Sequence, residues 1–242
     1  TTYRVPLPFF DVKLKRELKK HKVDLIHAHS PFSVGRLGLK QARKYGIPII
    51  ATFHSKYYDD FFAATKSKFI SKLLLKYVIN FFNKVDYVWT VNENTKNTLR
   101  SYGYKGKIEI MHNGVDLVIP DNEKELIKSI KNKYNLKDEK IFLFVGQHDF
   151  KKNIKKIFEA TALLKKHRSD FKLLMVGTGN HVMELKKLSK KFKINDKIIF
   201  IGKVSDRKEL TSIYLASDVF VFPSIYDNAP LVLREAAAHH TP

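Results

Sequence analysis

Two acids near the end of the chain have a spacing that could serve a chemical purpose. Asp227 and Glu235 lie on either side of the apolar run PLVL, and they follow the strand-like run VFVFPS. A helix with ordinary acids in its first turn would explain Asp227, because acids are stabilised near the positive end of a helix dipole. It does not explain the sequence around Asp227, so both acids are candidate functional residues.

Three histidines provide a second chemical signal. His27 and His29 close the apolar run VDLIHAH, and His54 closes the run IPIIATFH. Residues two apart on a strand point to the same face, so His27 and His29 could in principle bind zinc. A third ligand is not found nearby in the sequence, and a single histidine at a strand end is more often structural. We therefore predict no metal site.

Eight apolar runs, rich in branched residues, supply the elements that would position these side chains. Runs that are apolar on both faces are typical of buried parallel strands, and the helical stretches between them suit crossovers. The predicted fold class is α/β, with this alternation occurring twice. The predicted strands are 23–29, 47–54, 87–91, 107–114, 141–148, 171–179, 197–202 and 219–224.

Polar residues gather where the predicted strands end. Open parallel sheets bind ligands in the crevice beyond the carboxyl ends of their strands, so this clustering predicts a ligand site there. Besides His27, His29 and His54, the strand-end residues are Asn113–Gly114, Gln147–His148, Gly177–Thr178–Gly179 and Pro223–Ser224.

The middle of the chain predicts a domain boundary. VIPDNEKELIKSIKNKYNLKDEK is polar and charged and has no strand character. We predict a first domain over 1–114, a linker with a connecting helix over 115–138, and a second domain over 139–242. Farther on, Asp206 followed by Glu209 predicts a helix N-cap with its reciprocal partner.

Composition restricts the function classes. The chain has 242 residues, 44% of them hydrophobic, which is enough for a core. It contains no cysteine, which excludes disulfides and thiolate chemistry and fits a cytosolic protein. The net charge of +21 predicts an anionic partner, namely nucleic acid, acidic lipid or a phosphorylated ligand. A simple preference for lysine on solvated helix faces would give the same total.

The order of six motifs carries a family resemblance. HAHSPFS, TFHSKY, HNGVD, FVGQHDFKKN, MVGTGN and PSIYDNAPLVLREAAA follow one another along almost the whole chain. In this order they resemble the family 4 (group 1) retaining glycosyltransferases. The resemblance implies the GT-B architecture, in which two Rossmann-like domains face each other across a cleft. The first domain would then be the acceptor side and the second the nucleotide-sugar donor side.

The resemblance also implies residue roles. Asp227 and Glu235 resemble the family's paired acids, with Asp where Glu is usual; Glu235 would bind the ribose hydroxyls and Asp227 the donor sugar. Lys152 would neutralise the diphosphate, and His54 would contact the transferred sugar. The implied catalytic residues are His54, Lys152 and Asp227. The implied donor-binding residues are Gln147, Lys152, Gly177, Gly179, Asp227, Asn228, Ala229, Pro230, Leu231 and Glu235.

The implied reaction is transfer of a hexose from a nucleotide diphosphate sugar, with retention at the anomeric carbon. UDP-sugar is the expected donor, and it is a substrate; no cofactor and no metal are expected, because basic residues take the place of a divalent cation. Negative charge growing on the leaving diphosphate would be stabilised by Lys152 and by helix N-termini.

Two positions depart from the family pattern. Gln147 stands where the family carries an Arg. A neutral amide cannot replace the guanidinium group that binds the leaving diphosphate, unless a neighbour such as Lys151 compensates. His240 stands where a Gly is customary in a tight turn. These departures leave open a homologue that binds sugar nucleotides with little or no turnover. A basic nucleic-acid binder is the other alternative, but no known binding module is present and the aromatic residues lie inside apolar runs.

The first half is similar to bacterial enzymes that glucosylate diacylglycerol and related lipids. The resemblance implies a lipid or glycan acceptor and a cytoplasmic enzyme held peripherally on the inner, anionic membrane surface. Two basic helical segments, 11–22 and 61–84, suit this role, although the second could simply pack on a sheet. The predicted membrane-surface residues are Lys13, Lys15, Arg16, Lys19, Lys20, Lys68, Lys72 and Lys76.

The family's first domain opens with a strand and a glycine-rich loop, and its second domain continues with further elements. We therefore expect this chain to be an internal fragment, truncated at both ends and inactive by itself.

Overall fold

A computed structural model describes residues 8–116 and 120–242, except for the side chains of Lys15 and Lys19. The predicted membrane-surface roles of Lys15 and Lys19 therefore lie outside the described side chains. The chain divides between Asn113 and Gly114 into two units.

The first unit contains a sheet of four parallel strands in sequential order. Strand β2 is buried at all five positions, as expected for a strand covered on both faces. The strands are β1 Ile26–Ala28, β2 Ile49–Phe53, β3 Tyr87–Thr90 and β4 Glu109–Ile110. The helices are α1 Val12–Lys20, α2 Ser33–Tyr45, α3 Tyr57–Thr65, α4 Lys68–Phe82 and α5 Glu93–Ser101.

The core of this unit explains how α2 and α4 are held on the sheet. Phe53 of β2 and Phe81 and Phe82 of α4 are almost completely buried in one cluster. Helix α2 ends at Gly46, whose φ of 65° lies in the left-handed region that favours glycine, and this allows the chain to turn directly into β2.

The second unit contains a sheet of four parallel strands in the order β7-β6-β5-β8. Its strands are β5 Lys140–Val145, β6 Phe171–Val176, β7 Ile198–Gly202 and β8 Val219–Phe220. Its helices are α6 Glu123–Lys133, α7 Ile154–Lys165, α8 Val182–Lys191, α9 Arg207–Leu215 and α10 Leu231–Ala238. The chain proceeds from β5 outward to β6 and β7, and then returns to the other side of β5 as β8. The gap between β5 and β8 is thus a topological switch point, where such sheets bind ligands.

Helix α6, in the segment predicted as a linker, packs within the second unit. Leu126 and Ile130 are buried, and Glu209 of α9 accepts hydrogen bonds from Lys133 Nζ at 2.7 Å and Tyr134 OH at 2.8 Å. The predicted N-cap Asp206 accepts from the amide of Lys208 at 2.9 Å. The predicted reciprocal bond of Glu209 is wrong, because its carboxylate is bound to α6.

The eight predicted strands and the α/β class are confirmed. Each observed strand is shorter than, or ends before, the apolar run that predicted it. All strands except β7 end before their runs, because the last residues of those runs belong to the loops that follow. Among the described residues, no helix has both the length and the hydropathy needed to span a bilayer.

Candidate functional site

The second unit brings Lys152 and Asp227 into direct contact at its switch point. Lys152 Nζ donates to both carboxylate oxygens of Asp227, at 2.6 and 2.8 Å. The two side chains are 19% and 21% exposed, so this pair is shielded from solvent but still reachable. A cation and an anion held in this way can exchange partners with a ligand that carries both an anionic group and hydroxyl groups.

The loop after β5 has a local structure that fixes Lys152. Asp149 caps a short 3₁₀ turn, Phe150–Lys152, by accepting from the amide of Lys151 at 2.9 Å. Asn153 then takes a positive φ of 55°, which lets α7 start immediately afterwards. The side chain of Asn153 donates to the carbonyl of Pro223 at 3.2 Å, so the loops after β5 and β8 are tied together.

Two aromatic rings of the loop after β8 lie against the lysines. Lys152 Nζ is 5.8 Å from the ring centroid of Phe222, and Lys151 Nζ is 5.3 Å from that of Tyr226. A ring face attracts a cation and leaves its N–H donors available. Lys151 is thereby held against the ring of the residue that precedes Asp227.

Glu235, the second acid, has other partners. Its carboxylate accepts from Tyr214 OH at 3.0 Å and from Arg207 Nη1 at 3.0 Å, and its side chain is 15% exposed. In the described part of the chain, Lys152 thus pairs with Asp227 while Glu235 pairs with α9. Among the described residues, Glu235 and Lys152 share no hydrogen-bonding partner.

Gly177 and Gly179 allow the loops after β5 and β6 to approach closely. A Cβ on Gly177, which has a φ of 124°, would lie 2.0 Å from the carbonyl oxygen of Gly146. A Cβ on Gly179 would lie 2.4 Å from the carbonyl oxygen of His148. The amide of Gly177 already donates to Gly202 at 2.7 Å. Both glycines therefore have a packing role, and donor binding by them stays a prediction.

The remaining predicted donor residues lie on the same loops. Gln147 is exposed after β5, and Asn228, Ala229 and Pro230 are half-buried before α10. Helix α10 begins at Leu231, which is 48% exposed, and its N-cap Pro230 provides no side-chain cap. The amide groups of this first turn can therefore face a ligand.

His240 adopts the backbone conformation that glycine would supply. Its φ is 55°, just after α10, and its amide donates to the carbonyl of Ala237 at 3.2 Å. The turn is therefore retained despite the departure from the family pattern, at a steric cost that glycine would avoid.

In the first unit, His54 lies in a cluster of imidazoles. His29 Nδ1 and His54 Nε2 are 2.8 Å apart, and His27 Nε2 is 2.7 Å from Thr52 Oγ1. Burial lowers the pKa of His54, and the neighbouring His29 and His27 lower it further. His54 is therefore neutral at pH 7 and can donate one hydrogen bond and accept another. Among the described residues, no group of three or more His, Cys, Asp or Glu side chains is arranged to hold a metal ion.

The predicted membrane-surface residues lie on two helices of the first unit. Lys13, Arg16 and Lys20 are exposed on α1, and Lys68, Lys72 and Lys76 are exposed on α4. Next to the α4 lysines lies an exposed apolar stripe of Phe69, Leu73 and Tyr77, which are 78%, 59% and 47% exposed. The opposite side of α4, with Val78, Phe81 and Phe82, packs on the sheet, as expected for a crossover helix, and membrane binding by the exposed side stays a prediction.

Two family models match the chain, one in each half. The model described as Glycosyltransferase Family 4 matches residues 2–118, and the model described as Glycosyl transferases group 1 matches residues 126–242. The chain belongs to the glycosyltransferases. The resemblance proposed from the six motifs is confirmed, as is the GT-B fold class, with two α/β units built on parallel sheets.

Two enzymes called alpha-monoglucosyldiacylglycerol synthase are similar to this glycosyltransferase chain. It is 30% identical to the alpha-monoglucosyldiacylglycerol synthase of Streptococcus pneumoniae, over 99% of the chain and 58% of that protein. It is 27% identical to the enzyme of the same name from Acholeplasma laidlawii, over 98% of the chain and 62% of that protein. The chain therefore spans about three fifths of the length of these relatives.

A solved structure shares the fold. The structure of Anabaena HepE in complex with UDP-glucose superposes with a TM-score of 0.76 at 16% identity, covering 98% of this glycosyltransferase chain and 64% of that protein. The likeness at this identity supports the fold.

Sequence reasoning missed Tyr214 and Arg207, the two partners of Glu235. They are seven residues apart on α9, a spacing that puts both on one face of a helix. The sequence shows this spacing, but it does not show which face of α9 lies toward α10.

Proposed function

We propose that this glycosyltransferase transfers a hexose from a UDP-sugar to a lipid or glycan acceptor at the inner surface of the membrane, with retention at the anomeric carbon. Its relatives named alpha-monoglucosyldiacylglycerol synthases and the UDP-glucose complex of HepE support this choice of acceptor and donor. The bond between the anomeric carbon and the diphosphate oxygen breaks, and a bond to the acceptor oxygen forms on the same face. The proton of the acceptor hydroxyl passes to the departing diphosphate.

The observation that carries the proposal is the contact of Lys152 with Asp227 at the switch point. The ammonium group is held less than 3 Å from an acid that a donor can replace. We propose that the diphosphate binds the ammonium group of Lys152 while the hydroxyl groups of the sugar donate hydrogen bonds to the carboxylate of Asp227. Because the pair is mostly shielded from water, the cation acts more strongly on charge that develops as the bond breaks. The first-turn amides of α10 and Lys151 support the same charge.

Glu235 is proposed to bind the ribose of the nucleotide. A carboxylate offers about four lone-pair sites and can accept a pair of hydrogen bonds from a cis-diol. Arg207 occupies one oxygen of Glu235, but its side chain is 78% exposed, so this ion pair is weak and a ribose can displace it.

His54 is proposed to contact the transferred sugar. The lowered pKa keeps the imidazole neutral, so that it offers a hydrogen bond without an extra positive charge near an anomeric carbon that becomes positive. Its contact with His29 fixes the ring orientation.

The membrane surface is proposed to bind α1 and α4. The exposed lysines of α4 lie beside Phe69, Leu73 and Tyr77, which can enter the interface between headgroups and acyl chains. Each lysine near an anionic surface contributes about 1 kcal/mol, so three lysines together with the apolar stripe can hold the enzyme at its acceptor.

A thermal-shift series with UDP-glucose, UDP-galactose, GDP-mannose and ADP-glucose tests the donor class. We expect a UDP-sugar to raise the melting temperature most, and Glu235→Ala to abolish the response. A response to every nucleotide that persists in Glu235→Ala would contradict the proposed donor site. Radiolabelled sugar transfer to diacylglycerol vesicles then tests the acceptor.

A homologue that binds sugar nucleotides with little turnover is the second candidate. Gln147 favours it, because this exposed amide stands where the family carries a cation. UDP-sugar binding without transfer and without slow donor hydrolysis would select this alternative.

A further inference from the structure

We propose that Tyr214 is a positioning residue for donor binding: its phenol holds the carboxylate of Glu235 in the orientation that receives the ribose hydroxyls. This inference rests on the proposed function, because it takes Glu235 as the ribose ligand.

The two partners of Glu235 differ sharply in burial. Tyr214 is 1% exposed, whereas the side chain of Arg207 is 78% exposed. Arg207 can return to solvent when a ligand arrives, at little cost. The phenol of Tyr214 cannot, because a buried hydroxyl that loses its acceptor is left unsatisfied. The bond between Tyr214 and Glu235 is therefore the one that persists in the bound state.

The ring of Tyr214 is fixed from several directions. His239 stacks on it with centroids 5.4 Å apart and an interplanar angle of 5°, and Phe220 lies at 6.0 Å. Thr241 Oγ1 also donates to the backbone carbonyl of Tyr214 at 2.9 Å, a bond that holds the end of α9 and not the ring. A fixed ring fixes the position of the phenol oxygen, and from there the hydroxyl group donates to Oε2 of Glu235, 3.0 Å away.

The phenol remains a donor throughout the neutral range. Burial raises the pKa of Tyr214, and the negative charge of Glu235 raises it further. One hydrogen bond from Tyr214 uses only part of the accepting capacity of the carboxylate, so both oxygens retain lone pairs for a diol. A glutamate side chain has three rotatable bonds, and fixing them before the ligand arrives removes an entropic cost of binding.

The test compares two ligands that differ in one ribose hydroxyl, UDP and 2′-deoxy-UDP. The ratio of their dissociation constants, measured by calorimetry, is the hydroxyl discrimination. We expect Tyr214→Phe to keep the stacked ring and the fold but to reduce this discrimination, roughly ten-fold if the charged acceptor loses its fixed orientation. A melting curve of each variant establishes that the protein is folded.

Thr241→Val is the matched control. It removes a buried hydrogen bond to the same tyrosine but leaves the phenol in place, so it should lower the melting temperature without changing the hydroxyl discrimination. Arg207→Ala should leave the discrimination equal or larger, because it removes a competitor for Oε1.

Two results would overturn the inference in different ways. If Tyr214→Phe retains the wild-type discrimination while Glu235→Ala loses it, the ribose site stands and the positioning role of Tyr214 is wrong. If Glu235→Ala itself retains the discrimination, the proposed ribose site is wrong, and the proposed role of Tyr214 is then wrong as well. If Thr241→Val loses the discrimination as much as Tyr214→Phe does, the effect is general destabilisation and the inference also fails.

Discussion

Lys152 and Asp227 are 75 positions apart in the sequence, yet the ammonium nitrogen of one lies 2.6 and 2.8 Å from the two carboxylate oxygens of the other. The contact joins the loop after β5 to the loop after β8, the two loops on either side of the switch point. Among the residues that the structure describes, neither side chain forms an ion pair with a neighbour on its own element, as ordinary surface charges often do. This relationship is what makes the second unit a candidate for donor binding.

Gln147 gives a prediction about charge. Gln147→Arg adds a guanidinium group to the exposed end of β5, in the loop that carries Lys152. We expect UDP to bind several-fold more tightly, because a second cation shares the diphosphate, and the gain should diminish at high salt. Titration calorimetry at two salt concentrations measures this. Equal affinity in wild type and variant would indicate that Lys151 already supplies the missing charge.

His240 gives a prediction about stability. His240→Gly relieves a left-handed backbone conformation that costs a residue with a Cβ about 1 kcal/mol. The melting temperature should rise by about 2–4 °C. The matched control is Ala237→Gly, inside α10, which should lower it because glycine is a poor helix former. A lower melting temperature for His240→Gly would mean that the imidazole makes a stabilising contact that outweighs the strain.

His148 gives a prediction about pH. The ring is 1% exposed, and neither ring nitrogen has a hydrogen-bond partner among the described residues. Burial lowers the pKa of His148 below its ordinary value of 6.5. Well above pH 6.5 the ring is neutral in both the folded and the unfolded state. As the pH falls through 6.5, the unfolded chain binds a proton at this ring but the folded protein does not. The free energy of unfolding therefore decreases until the pH reaches the folded pKa.

His148→Phe removes this proton linkage. The ring would lie between Phe144 and Phe200, so the substitution fits an aromatic environment. We expect the free energy of unfolding to increase by about 1 kcal/mol at pH 7 and to fall less steeply below pH 6.5. Urea unfolding from pH 5 to 8 measures both. His21→Ala, at an exposed ring, is the control. An unchanged pH slope in His148→Phe would contradict the assigned neutral state of His148.

Helix α4 gives a prediction about membranes. Replacing Phe69 and Leu73 by serine should weaken sedimentation with phosphatidylglycerol vesicles while leaving the fold intact, because both side chains are more than half exposed. Replacing Lys68, Lys72 and Lys76 by glutamine should weaken it in a salt-dependent manner. The charge-matched control is glutamine at Lys187, Lys190 and Lys191, on the second unit. Equal losses in the control and the α4 lysine variants would mean that net charge alone drives binding.

The sequence was sufficient for the fold class, because buried parallel strands produce apolar runs and the loops after them carry the polar residues. The strand ends were predicted too far along the chain, since residues such as Gln147 and Gly177 continue the run but already belong to the loops. The spacing of Asp227 and Glu235 predicts that these two acids are functional, and the order of the six motifs predicts a role for Lys152. The partners of each acid depend on which helix faces which, and that information is tertiary. The hydrogen bond from Tyr214 to Glu235 joins α9 to α10, so the sequence alone does not reveal it.

Single-turnover transfer by the whole protein carrying Lys152→Met is the measurement that tests the central claim most directly. Methionine keeps an unbranched apolar side chain and removes the charge that lies 5.8 Å from the Phe222 ring centroid. Lys155→Met on α7, where the side chain is 61% exposed, is the control. We expect the rate of sugar transfer from UDP-glucose to fall about 100- to 1000-fold in Lys152→Met, with little change in the control. A Lys152→Met enzyme that transfers sugar at the wild-type rate would contradict the account.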